Sequence, residues 1–85
     1  MKELMPHSWK LTFETIEDRE HCEMVVHLNA GDRSMSGSGR STRNPDHPFN
    51  SRVGEELAAA RALYDLAHKL TEDAWTTVES FVANN

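Results

Sequence analysis

The stretch "SMSGSGRSTRNPDHPFNSRVGEELAAARAL", Ser34 to Leu63, decides how this chain folds. Its first part alternates, with Met35, Gly37, Gly39 and Ser41 on one side and Ser34, Ser36, Ser38, Arg40 and Thr42 on the other. A period of two marks a strand, and a linker would keep no such period. Glycines weaken a strand but let a helix or an aromatic ring approach its backbone closely. The rival reading of "GSGRST" is a phosphate cradle. The dinucleotide fingerprint, however, needs a third glycine where Thr42 stands and a helix that opens within the loop. Here the helical pattern begins only after Pro45 and Pro48, and no Gly-Lys-Ser/Thr follows as a P-loop requires. Arg33–Arg43 therefore reads as a strand.

Upstream, "SWKLTFETI" alternates as well, with Trp9, Leu11 and Phe13 opposed to Lys10, Thr12 and Glu14. "EDRE" breaks the pattern as a turn. "HCEMVVHLN" resumes it, placing Cys22, Met24, Val26 and Leu28 on a core face. Gly31 in "AGD" tolerates positive φ and marks a hairpin. Trp9 and Phe13 are the natural covers for the glycines of the third strand.

Downstream, "NPDHPFNS" is a structured loop, because its prolines forbid a ladder and Asn44 and Asp46 form turns. Asn50 or Ser51 caps the helix that follows, where Glu55 and Glu56 suit its dipole. Val53, Leu57, Ala60, Tyr64 and Ala67 form an apolar stripe, widened by Leu63, Leu66 and Leu70. Thr71, followed by Glu72 and Asp73, reads as a fresh N-cap for a short second helix carrying Trp75, Val78 and Val82. The expected fold class is α+β: a β-β-β-α-α two-layer sandwich of three antiparallel strands, a long helix and a short C-terminal helix. Residues 1–7 read as a tail and 8–85 as one domain.

Composition bounds the function. At 85 residues and 38% hydrophobic, the chain has a thin core, and a second copy would cover surface that one copy leaves exposed. With one cysteine, no internal disulfide forms, and no CxxC or C/H spacing points to zinc. The five histidines include no HxxxH or HExxH pair, and His21 and Cys22 face opposite sides of a strand. Cys22 lies on the core face, where a thiol is a small hydrophobe rather than a nucleophile. Glu55 and Glu56 diverge on the helix. These patterns predict no enzyme, no cofactor, no metal and no small-molecule substrate. The N-terminus lacks the apolar run of a signal peptide and no span reaches membrane length, so the expectation is a soluble, cytoplasmic protein without a membrane partner.

The net charge is −5. Between residues 33 and 52 four arginines face one acid, so that segment carries +3 and the remainder −8. Arginines and hydroxyls on an open sheet face suit phosphates or a partner's carboxylates. Arg33, Ser36, Ser38, Arg40, Thr42, Arg43 and Arg52 are accordingly the candidate contact residues, with Lys10 and Thr12 as possible neighbours. A solvated sheet face is the plain alternative. No aromatic ring lies there to stack bases.

"HSWKLTFE", "MSGSGRSTRNPDHP" and "RVGEELAAARALYDLAHKL" together resemble the actinobacterial dsRBD-like domain-of-unknown-function family. Gly37, Gly39, Asn44, Pro45 and Asp46 match its Gly-x-Gly and Asn-Pro segment. Gly54, Glu56, Leu57, Ala60, Arg61, Ala62 and Leu63 match its helix. Arg40 falls one place before the usual arginine, and Arg43 is an addition. The resemblance implies a dsRBD-like fold, a homodimer and a stress or dormancy role likened to ribosome hibernation factors, with ribosome or structured RNA as partner. The other expectation is a homodimeric protein-interaction module that binds no nucleic acid. Arg61 is expected to pair with Glu56 or Asp65, or else to line a site with Asp46.

Overall fold

The structure, a computed structural model, describes residues 7–48 and 50–83. The expected N-terminal tail, apart from His7, lies outside the described residues, as do Phe49 and the final two asparagines. Three strands, β1 (Lys10–Glu17), β2 (His21–Asn29) and β3 (Ser34–Thr42), precede one helix, α1 (Ser51–Ala83). They form an antiparallel meander in the order β1-β2-β3.

Both hairpins follow from their turn residues. Asp18 Oδ1 accepts the backbone N–H groups of Glu20 and His21, each at 2.7 Å. At the second turn Gly31 has φ +90° and donates its N–H to Asn29 Oδ1 at 2.9 Å. The register places Leu28 opposite Met35, Val26 opposite Gly37, Met24 opposite Gly39 and Cys22 opposite Ser41. Cys22, Met24, Val26 and Leu28 are buried on this face, as their alternation predicts.

The helix covers that face through a stripe other than the one its large apolar residues mark. Ala58, Ala62 and Leu66 are the buried helix residues, whereas Val53, Leu57, Ala60, Leu63, Tyr64 and Ala67 are exposed. The cause lies in β3. A Cβ on Gly37 would collide with the carbonyl of Ala62 and stand 2.6 Å from the nitrogen of Leu66. One on Gly39 would collide with Ala58 and Ala62 backbone. The helix backbone rests directly on the strand backbone, with Ala58, Ala62 and the Cβ of Leu66 at the contact. Trp9 and Phe13 do not cover these glycines, because β2 lies between β1 and β3.

The expected second helix is not a separate element. Thr71, read as its cap, instead donates its hydroxyl to the Ala67 carbonyl at 2.9 Å, inside a continuous helix. Neither glycine nor proline occurs after Gly54, so nothing breaks the ladder. The architecture is therefore β-β-β-α. Asn50 provides the N-cap, accepting from the Arg52 and Val53 N–H groups at 3.1 and 3.4 Å.

The Gly39→Ala variant is expected to lose about 2–3 kcal/mol, since backbone lies on both sides of the added methyl. Thermal unfolding at fixed protein concentration should show the midpoint falling by about 10–20 °C. Ser38→Ala on the solvent face should stay within about 0.5 kcal/mol of wild type. Equal midpoints for the two variants would refute the direct backbone contact.

Candidate functional site

Helix α1 is tied to β3 by its side chains as well as by its backbone. Arg61 Nη1 donates to the Arg40 carbonyl at 2.7 Å. The Ser38 N–H donates to Asp65 Oδ2 at 2.9 Å, and Lys69 Nζ donates to the Ser36 carbonyl at 2.9 Å. Ser41, which is buried, donates its hydroxyl to the Gly54 carbonyl at 2.7 Å. Arg61, Asp65 and Lys69 occupy three backbone groups on the free edge of β3, which obstructs a ladder with another strand. Arg61 thus caps a strand edge, where a pairing with Glu56 or Asp65 was expected. Its position four residues before Asp65 and eight before Lys69 is the sequence signal, because those spacings share one helix face.

The opposite edge is bare. α1 packs over β3 and β2, and every residue of β1 is exposed. Leu11 stands opposite Leu28 and Phe13 opposite Val26, so both lie on the helix-facing side of the sheet. Yet Trp9, Leu11 and Phe13 are 55, 50 and 42% exposed. The Arg33 guanidinium sits 5.9 Å from the Trp9 ring centre and donates to Asp73 Oδ2 at 3.0 Å. Beyond Asp73 the helix continues for ten residues, with Trp75, Val78, Phe81 and Val82 exposed. The result is an apolar trough whose floor is β1 and whose wall is α1.

The candidate contact residues do not form one surface. Ser36, Ser38, Arg40 and Thr42 share the outer face of β3, but their neighbours are on β2, with Lys10 and Thr12 one strand further away. Arg40 faces Glu23 across the pair, its Nε 3.8 Å from the carboxylate. Ser36 Oγ lies 2.9 Å from His27 Nδ1, and His27 Nε2 is 3.3 Å from Glu14. Arg33 is at the far end of the strand on Asp73. Arg52 Nε meets Glu56 at 2.9 Å. Arg43 donates to the His47 carbonyl at 3.2 Å.

A cavity of about 480 Å³ opens at the N-terminal end of α1. Cys22, Val53 and Leu57 supply apolar lining, and His21, Arg43 and His47 supply polar lining. Burial pushes the Cys22 thiol up, with the carboxylates of Glu17 and Glu55 adding to the effect. The thiol is therefore protonated at neutral pH and poorly nucleophilic. Glu17 hydrogen-bonds to Glu55, and this contact, with lesser desolvation and charge repulsion, holds its carboxyl above the ordinary range. The sequence hid this pair because the two acids stand on different elements. Asp65 is held below the ordinary range, first by the Ser38 N–H and then by Lys69. Among the described residues no group of three histidine, cysteine or acidic side chains is placed to hold a metal ion. No helix among them is long and apolar enough to cross a membrane.

A three-stranded antiparallel sheet carrying one long helix defines the class as α+β. The family described as Rv2632c-like matches residues 7–85, and the chain belongs to that family. The crystal structure of Rv2632c, a mycobacterial protein of unknown function, superposes with a TM-score of 0.81 at 30% identity, covering 93% of this chain and 94% of that one. No curated protein matches the chain.

The two shifted carboxyls act on stability in opposite directions. Asp65, depressed when folded, stabilises above its unfolded value of about pH 4, and this contribution disappears as pH falls through the folded value. Glu17, raised when folded, contributes only at acid pH, and this contribution is lost as pH rises through its folded value. Glu17→Gln, which keeps a neutral hydrogen-bonding group beside Glu55, should therefore stabilise the protein at pH 7 and match wild type at pH 3. Asp65→Asn should destabilise it at pH 7, with the difference shrinking on acidification. Urea midpoints collected across that range check both signs.

Proposed function

We propose that this protein works as a homodimeric protein-interaction module. The observation that carries this reading is the trough itself, where Leu11 and Phe13 face the helix side of the sheet and, with Trp9, stay about half exposed, although Arg33 reaches over the Trp9 ring. Monomeric proteins rarely leave contiguous apolar surface of that kind open. Shape supports the same conclusion. The radius of gyration is 17.6 Å, against about 12 Å for a compact chain of this length. The accessible surface is 7139 Å², against roughly 5,100 Å² for a compact monomer of this mass. An excess on the order of 2,000 Å² is what a substantial dimer interface covers.

The reading implied by the dsRBD-like resemblance is a stress or dormancy factor that meets ribosome or structured RNA through Arg33, Ser36, Ser38, Arg40, Thr42, Arg43 and Arg52. The +3 charge of that segment favours it. Against it, Arg33, Arg40 and Arg52 each meet an acid within the chain, and Glu14 and Glu23 share the outer sheet face. Charges already neutralised release few counterions on binding.

Light scattering at tens of micromolar should give twice the 9.6 kDa of one chain. Co-sedimentation with ribosomes at low salt should leave the protein in the supernatant. A monomer at that concentration overturns the dimeric module. Stoichiometric, salt-sensitive pelleting transfers the assignment to the RNA-contacting factor.

A further inference from the structure

We propose that in the dimer the two α1 helices lie side by side and parallel, joined along Leu63, Ala67, Leu70, Ala74 and Phe81, with each helix roofing the other copy's bare β1. This arrangement rests on the homodimeric reading and specifies how its surface is used.

The direction of each helix face follows from the contacts already described. Ala58, Ala62 and Leu66 point at the sheet. Arg61, Asp65 and Lys69 reach over the free edge of β3, which is the side away from β1. At 100° per residue, Leu63 and Leu70 then lie on the flank toward β1, and Val53, Leu57 and Tyr64 on the side away from the protein's own sheet. Leu70 packing against the cluster of Val26 and Leu28 agrees with this placement.

That flank has coiled-coil character. Positions 63, 67, 70, 74, 77 and 81 alternate spacings of four and three, and none is charged. Alanine at 67 and 74 allows close approach of a second helix. Absence of charge matters for self-association, because copies carrying −5 repel each other elsewhere. The trough is one bare strand wide beside a helical wall, and a helix is the element that fits it. The same chain supplies one, with Val53, Leu57 and Tyr64 unused by its own sheet. Floor and roof on one chain provide the self-complementarity that two-fold symmetry requires.

The overhang fixes the direction. The ten residues after Asp73 extend about 15 Å past the Arg33 turn, beyond anything in their own sheet. In a parallel pair each overhang meets the other, covering Val78 and Phe81. In an antiparallel pair the overhangs point apart and both stay bare.

Single cysteines report the geometry directly. In a Cys22→Ala background, Ala67→Cys and Ala74→Cys should each form a disulfide between copies on mild oxidation, since parallel symmetry brings identical positions together all along the seam. Glu79→Cys, on the polar side, should not. Separately, Phe13→Lys should weaken dimerisation at least about 30-fold, as loss of a buried anchor does. Ile16→Lys, on the outer face of the same strand, should leave it unchanged. Circular dichroism confirms that each variant folds. A dimeric wild type that cross-links at one helix position or at neither, or that tolerates Phe13→Lys, overturns this arrangement and leaves the dimeric module standing. A monomeric wild type removes both.

Discussion

The structure depends on backbone meeting backbone between α1 and β3. Two strand positions without side chains, Gly37 and Gly39, receive a helix whose contact residues are Ala58 and Ala62. Close packing at such short range gains dispersion from many atoms at once, and it tolerates no added methyl. It also brings Arg61, Asp65 and Lys69 within reach of the edge carbonyls and N–H of β3. The helix thereby acts as the fourth element of the sheet's edge, filling hydrogen bonds that another strand would otherwise fill.

Spending the small face of the helix on the sheet has a consequence for everything else. Apart from Leu66, the large apolar residues of α1 turn to the flank and the far side, and the helix sits over β3 and β2 rather than over β1. The buried set is correspondingly thin: Val26 is the one large side chain fully enclosed among the described residues. An 85-residue chain with so small an interior has little stability to spare. The exposed large apolar residues outnumber the buried ones; Trp9, Leu11, Phe13 and Leu63 lie on the side where β1 is uncovered, and Val53, Leu57 and Tyr64 on the far side of the helix. This imbalance is physical grounds for assembly, independent of any family likeness.

Electrostatics in this chain are mostly local. The arginines that make residues 33–52 basic in sequence are distributed over two ends of a strand, a loop and a helix turn, and three of them meet carboxylates. Opposite-charge neighbours such as Glu23 and Asp73 come from other elements, so a charge count along the chain overstates the field at the surface. The Glu17–Glu55 contact shows the converse, since two acids far apart in sequence become partners when β1 ends beside the first turns of α1.

The sequence by itself determined the strands, both turns, the core face of β2 and a helix cap at Asn50 or Ser51, between which the structure chose Asn50, because each follows from a period of two or from a residue whose side chain bonds its own neighbourhood. It also marked the glycines of β3 as points of close approach. It did not determine what approaches them. A helix with two apolar stripes carries no local preference between them, and hydrophobic size alone favoured the stripe through Leu57 and Tyr64. Only the fit between glycine and alanine backbones, which exists once β3 and α1 meet, selected Ala58 and Ala62 beside Leu66, the one residue of the widened stripe that is buried. Thr71 was misleading for a related reason: its hydroxyl can cap a new helix or bond back into an existing one, and a continuous ladder without glycine or proline settled the choice. The trough over β1 was likewise invisible along the chain. Trp9, Leu11 and Phe13 read as core in any strand of that pattern, and their exposure follows only from where the helix comes to rest.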